Sequence, residues 1–158
     1  MKELSKYIWA PRRTGEQSTA PKPRIRMVDI DGMAQATGKR KTAKCFMRIK
    51  PGTGKAFINT VPYTEYFRNF TLRQRMLEPL HATGLLSQFD IYAQVHGSGL
   101  SSQSGAVQLA LARALQNYDP VFRPTLKKHK YLTSDKRNVE RKHTGRRKAR
   151  KSFAWVKR

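Results

Sequence analysis

A single cysteine, Cys45, stands in 158 residues, which excludes a disulfide framework and any cluster of thiolate metal ligands. The four histidines, His81, His96, His129 and His143, are too scattered to form a helical ligand pair, and no zinc spacing surrounds them. No metal is expected. No apolar run approaches the roughly twenty residues that span a bilayer, and no apolar signal region follows Met1. The sequence offers no paired carboxylates in a pocket pattern and no activated nucleophile, so neither catalytic residues, a cofactor nor a small-molecule substrate is expected. Hydrophobic residues make up only 38%, which limits the chain to one modest domain with tails. Acids are scarce beside bases, ten against 33 Lys and Arg, a net +23. A free monomer so charged repels itself, which implies a permanent polyanionic partner.

What the chain has instead is concentrated at its end. Lys127, Lys128, Lys130, Lys136, Arg137, Arg141, Lys142, Arg146, Arg147, Lys148, Arg150, Lys151, Lys157 and Arg158 face only Asp135 and Glu140, a net +12 within residues 127–158. Such a segment buries too little apolar surface to offset its ordering entropy and needs a polyanion to become ordered. A membrane-surface segment would carry an amphipathic helix or a lipidation signal. Here only Phe153 and Trp155, flanking Ala154, offer such a face, and their placement suits stacking on bases or ribose. The tail therefore predicts nucleic-acid binding and no membrane.

Residues 1–36 mix Pro11, Pro21 and Pro23 with arginines and show no period of 2 or 3.6. They read as an extended N-terminal arm, and Glu3, Glu16, Asp29 and Asp31 favour a retained extension over a cleaved presequence. Beyond it, Lys39, Arg40 and Lys41 lead into a strand with Cys45, Met47 and Ile49 on one face and Lys44, Phe46, Arg48 and Lys50 on the other. Pro51 to Lys55 forms a glycine loop, from which residues 56–59 return as the second strand of a hairpin. Pro62 opens a helical turn with Tyr63, Tyr66 and Phe67 as core, and Thr71 caps a helix ending before Pro79. Phe89, Ile91, Ala93 and Val95 alternate with Asp90, Tyr92, Gln94 and His96, which predicts a strand with the second set facing out.

Residues 97–106 follow as a glycine-rich loop and lead to a helix over 107–118. Strand, glycine loop and helix make an anion-binding geometry, so Gly97, Gly99, Ser101 and Gln103 are candidates for contact with a nucleic-acid phosphate. A packing turn is the alternative. Nucleotide motifs fail on their spacing: Ile49 stands where a P-loop needs its first glycine, and Ser102 takes the third glycine of a dinucleotide fingerprint. Neither Ser101 nor Ser102 has the flanking glycines of a nucleophile elbow.

Several stretches together resemble the small-subunit ribosomal protein nine family, of bacterial and organellar type. They are Thr37 to Ala43, Pro51 to Lys55, Tyr63 to Phe67, the 97–106 loop, Ala112 to Leu115, Arg123-Pro124, Leu132 to Asp135 and Val139 to Lys142. The resemblance implies an α+β, two-layer fold akin to the second domain of ribosomal protein number five, a four-stranded sheet backed by helices. On that basis the chain divides into an extension (1–36), a globular domain (37–126) and an extended basic tail (127–158). It implies small-subunit ribosomal RNA and neighbouring small-subunit proteins as partners, with the tail's end reaching the peptidyl-site transfer RNA. Lys157 and Arg158 match the family's terminal contacts, while Val156 replaces a serine. Ser98 and Ser102 stand where the family has glycine, and Val107-Gln108 where Ile-Arg is usual. Such drift and the long arm suggest a mitochondrial ribosome ahead of a chloroplast or bacterial one. A basic RNA-binding or RNA-processing protein outside the ribosome is the alternative.

Overall fold

The computed structural model describes residues 25–157. A mixed sheet in the order β1-β2-β5-β3-β4 carries helices on one face. The first strand, β1 (Ala34–Arg40), pairs antiparallel with β2 (Ala43–Pro51) around a two-residue turn at Lys41 and Thr42. Lys41 takes the left-handed φ of 53° that such turns favour. In β2 the expected alternation holds: Cys45, Met47 and Ile49 are buried, while Lys44, Phe46 and Arg48 face out.

β1 was not expected as a strand; it begins inside the stretch read as an arm. Its inward residues are Ala34, Ala36 and Gly38, which carry almost no hydrophobic contrast. Their smallness has a cause. A methyl placed on Gly38 would lie 2.1 Å from the Ala106 carbonyl oxygen and 2.6 Å from the Ala110 amide nitrogen, so strand and helix touch backbone to backbone here.

The expected hairpin after β2 does not form. β3 (Ala56–Ile58) pairs parallel with β5 (Phe89–His96), which inserts between β2 and β3, and β4 (Val61–Pro62) completes the edge as a fifth strand beyond the four implied. Asp90 decides this arrangement. Although it alternates with core residues and was expected to face out, it is buried, and its Oδ1 accepts from the amides of Thr53 at 2.9 Å and Lys55 at 3.0 Å. Its carboxyl is held below the usual carboxylate range first by the Lys55 amide, against the opposing effect of burial. Gly52 is glycine because a methyl there would meet that carboxylate at 2.2 Å. The 51–55 loop is thus folded over the start of β5. At the other end of β3 the Asn59 side chain extends the ladder, donating to the Val95 carbonyl and accepting from its amide, both at 2.8 Å.

Helix α1 (Tyr63–Tyr66) follows Pro62 as expected, and Phe67 is fully buried. Helix α2 (Phe70–Thr83) differs from expectation at both ends. Asn69 is the cap, accepting from the Thr71 amide at 2.9 Å, and the helix runs through Pro79 to a left-handed Gly84. Helix α3 (Leu100–Tyr118) starts seven residues earlier than predicted. Ser102, Gln103, Ser104 and Gly105 lie inside it and are buried, with the Ser104 hydroxyl donating to the Leu72 carbonyl at 3.0 Å. Its long apolar face covers β1 and β2 and forms the core with Met47, Ile49, Met76 and Ile91. Burial of a side chain of that size contributes on the order of 1.5–3 kcal/mol, set against the entropy of ordering the chain. After a 3-10 turn at Pro120–Phe122, α4 (Arg123–Lys128) buries Leu126 against this core. No described helix is long and apolar enough to cross a membrane.

Candidate nucleic-acid interface

The structure joins two motifs that are sixty residues apart in sequence. Gly97 has φ +82°, and a methyl on it would press against the Thr42 carbonyl at 2.6 Å. The β5–α3 loop therefore sits against the β1–β2 turn at the end of the Lys39–Lys41 run. The Arg40 guanidinium crosses over Gly105 and donates to the Ser101 carbonyl at 3.4 Å. Gly99 caps α3 with its backbone in an ordinary extended conformation and without a side-chain cap. Nothing lies within 4 Å of the position of its missing side chain. An open helix N-terminus with cations on its flank favours anions.

Not every candidate faces that opening. Gln103 is buried, accepting from the Tyr66 hydroxyl at 2.8 Å and donating to the Gly97 carbonyl at 3.2 Å, so its amide holds the loop in place. Gly97 serves the packing of the turn. Gly99 and Ser101 are exposed.

The tail leaves the domain at α4. Lys127 and Lys128 occupy that helix's last turn, and Lys130 turns the chain with a left-handed φ of 61°. Tyr131 and Leu132 still pack on the core. From Thr133 to Lys157 there is neither helix nor strand and almost every residue is exposed, Lys136, Arg141, Lys142, Arg146, Arg147, Lys148 and Lys151 among them. Asp135 accepts from Arg137 with both oxygens, at 3.0 Å from Nε and 2.8 Å from Nη2, and this pairing holds its carboxyl far below the usual range. Glu140 accepts from Arg150, ten residues on, at 2.8 and 2.5 Å. Exposed pairs of this kind contribute little to stability, since water and salt screen them. Their larger effect is to cancel both acids of the tail, leaving its other cations unopposed by an acid within it. Lys157 is exposed, and Arg158 lies outside the described residues, as do residues 1–24 of the expected arm.

One cationic surface was read in sequence as a basic face but not counted among the sites. Since the helices pack on the opposite side, the outer sheet face stays open, and the register aligns Arg48 with Tyr92 and Phe57 across three strands. The Arg48 guanidinium lies 5.9 Å from the Phe46 ring centre and the Lys50 ammonium 5.7 Å from that of Tyr92. The alternation of β2 carried that signal. Burial pushes the Cys45 thiol up to about 12, so it stays protonated and inert. Among the described residues no group of His, Cys, Asp or Glu is arranged to hold a metal ion.

The comparison that decides the family covers both the turn and the tail: the family described as "Ribosomal protein S9/S16" matches residues 38–158. The chain belongs to this family. It is 50% identical over 121 residues to the small ribosomal subunit protein uS9 of Chlorobium phaeobacteroides, a match spanning 77% of this chain and 94% of that protein. It is also 44% identical over 142 residues to the small ribosomal subunit protein uS9m of Arabidopsis thaliana. That alignment takes in 90% of this chain and spans about a third (33%) of the plant protein. In this S9/S16 member, the family match begins at Gly38, the point of closest approach between β1 and α3, and runs through the whole tail.

Proposed function

We propose that the protein is a structural constituent of the small subunit of a mitochondrial ribosome, where it binds small-subunit ribosomal RNA and neighbouring small-subunit proteins and catalyses nothing. The carrying observation is the tail: an exposed run of cations whose only two acids are already paired within it. A polycation so arranged exchanges counterions for RNA phosphates, and the Lys39–Lys41 turn beside Gly99 and Ser101 adds a second contact at the domain's edge. The one-sided layering of sheet and helices supports kinship with the second domain of ribosomal protein number five. An organellar setting is supported by the plant alignment, which includes 142 residues where the family region holds 121, so that similarity extends ahead of Gly38.

At its far end the tail meets peptidyl-site transfer RNA. Arg158 grips a phosphate with its planar fork and Lys157 acts as an adaptable point charge. Neither reads sequence. Incorporation is tested by sedimentation: the full chain stays with small subunits through a high-salt wash, and removal of residues 136–158 prevents it from joining them. Removal of Val156, Lys157 and Arg158 alone leaves assembly intact and loosens transfer RNA several-fold at matched salt. Loss of assembly on the short deletion, or unchanged transfer RNA retention, would contradict the terminal assignment.

A further inference from the structure

A cavity of about 300 Å³ lies where β1, α2, α3 and the root of the tail meet. Its wall carries Lys39, Arg40, Arg75, Lys130 and Arg137, and Asp135 is the single acid among its lining residues. That acid is already taken by Arg137, which donates to both of its oxygens. Four cations from three separate parts of the fold thus surround a space in which no free carboxylate is offered to them.

Arg75 is the informative member, because nothing in the sequence marked it. Burial is the first cause that depresses its guanidinium, and the charge of Arg40 is the second. Glu78 opposes them more weakly, and its carboxylate also accepts from the Gln108 amide at 2.5 Å. Guanidinium does not deprotonate in proteins, so the Arg40–Arg75 repulsion persists in the free chain. A half-buried pair of like charges is relieved by an anion between them. Two planar forks and a lysine point charge are the donor set that matches phosphate oxygens.

We propose that this cavity seats one phosphate of an RNA backbone, with Arg40 and Arg75 as its principal donors and Lys130 closing it from the tail side. This deepens the reading of the chain as an RNA binder. Its consequence is mechanical: Arg40 and Arg75 belong to β1 and α2, whereas Lys130 and Arg137 lie on the segment leaving α4. A phosphate held by both sets fixes the direction in which the tail departs.

The test uses the full chain with Arg75→Gln, Arg75→Lys and, as a control on an exposed arginine outside both the cavity and the tail, Arg68→Gln. Thermal unfolding is followed at low ionic strength with and without inorganic phosphate, matched in ionic strength with chloride, and again with a short single-stranded RNA. Wild type, Arg75→Lys and Arg68→Gln should melt higher with either phosphate source. Arg75→Gln should melt no lower than wild type without anion, gain nothing from inorganic phosphate and gain less than wild type from RNA. In RNA titrations its plot of log affinity against log salt should be shallower by about one phosphate contact. An Arg75→Gln protein that melts lower without anion yet responds normally to phosphate would make Arg75 a packing residue and overturn the proposal. A response to inorganic phosphate but not to RNA would overturn the RNA assignment. Failure of the ribosomal reading shows differently, as wild-type chain that does not sediment with small subunits whatever Arg75→Gln does to the salt dependence.

Discussion

Substituting alanine for Gly38 adds one carbon where β1 crosses α3, and the structure allows its effect to be worked out. That carbon would lie 2.1 Å from the Ala106 carbonyl oxygen, 2.6 Å from the Ala110 nitrogen and 3.0 Å from the Ala110 methyl. Two of the three neighbours are helix backbone, which cannot rotate away as a flexible side chain does. Relief requires strand and helix to part by about 1 Å, which weakens dispersion contacts along the whole seam from Ala34 to Ala110. Overpacking of a close-packed core costs about 1–3 kcal/mol and occasionally more; a backbone clash belongs at the top of that range, about 3 kcal/mol. For a chain of this size each kcal/mol moves the melting midpoint by about 2–4 °C, so Gly38→Ala should melt roughly 10 °C below wild type. Circular dichroism melts of the full chain measure this directly. The companion variant is Gly99→Val, whose side chain enters open space on an extended backbone and only weakens a helix cap, by less than about 1 kcal/mol. It should melt near wild type and yet lose protection of ribosomal RNA beside the loop. A Gly38→Ala midpoint within about 2 °C of wild type would refute the backbone contact. Parallel losses of stability and protection in Gly99→Val would reduce the loop to a packing turn.

Asn59→Ala should cost about 1–2 kcal/mol by removing both side-chain bonds to Val95 and leaving alanine at φ 49°, and urea titration would show it as a shifted midpoint with unchanged slope. Cys45 should resist aromatic disulfide reagents at pH 8 until the chain unfolds; because its folded value is raised by burial from 9.0 to about 12, stability should fall as pH rises from about 9 toward 12, and Cys45→Ala should flatten that limb in alkaline melts. Asp90 titrates with the opposite sign. Its depressed folded value stabilises the chain above the ordinary carboxylate range and is lost as pH drops below about 4, so Asp90→Asn should flatten the acid limb of a stability profile measured from pH 3 to 7.

What the sequence made legible depended on whether a residue's partner was local. The alternation of Phe89, Ile91, Ala93 and Val95 predicts β5 because it needs only the sheet's two faces, and the tail is legible because charge needs no fold to be counted. Asp90 breaks the same alternation because its partners are amides 35 and 37 residues earlier. Those same bonds turn the expected β2–β3 hairpin into a loop with β5 in between. β1 was hidden by its own fit: a strand pressed against helix backbone must use alanine and glycine, the residues with least hydrophobic contrast. Helix α3 was shortened in the reading since Ser102, Gln103, Ser104 and Gly105 suggest a loop, yet Ser104 is satisfied by Leu72 and Gly105 makes room for Arg40. Among the site residues, Lys39 to Lys41 and the exposed tail were legible as cations. The inward turn of Gln103 and the meeting of Arg40 with Arg75 depend on tertiary packing that no local pattern encodes.

The position of β5 between β2 and β3 also sets a timetable. Both of its neighbours are made more than thirty residues before it, so apart from the local β1–β2 and β3–β4 pairs the sheet cannot close until residue 96 exists, and its core stays uncovered until α3 follows. Such pairings across long stretches of chain must meet loop-closure entropy before contacts reward it, and they are slow. During that interval the basic segment 127–158 has still to be made. Synthesis therefore delivers a nearly complete apolar core before this polycation, so that the strands pair before the self-repelling part of the chain has appeared.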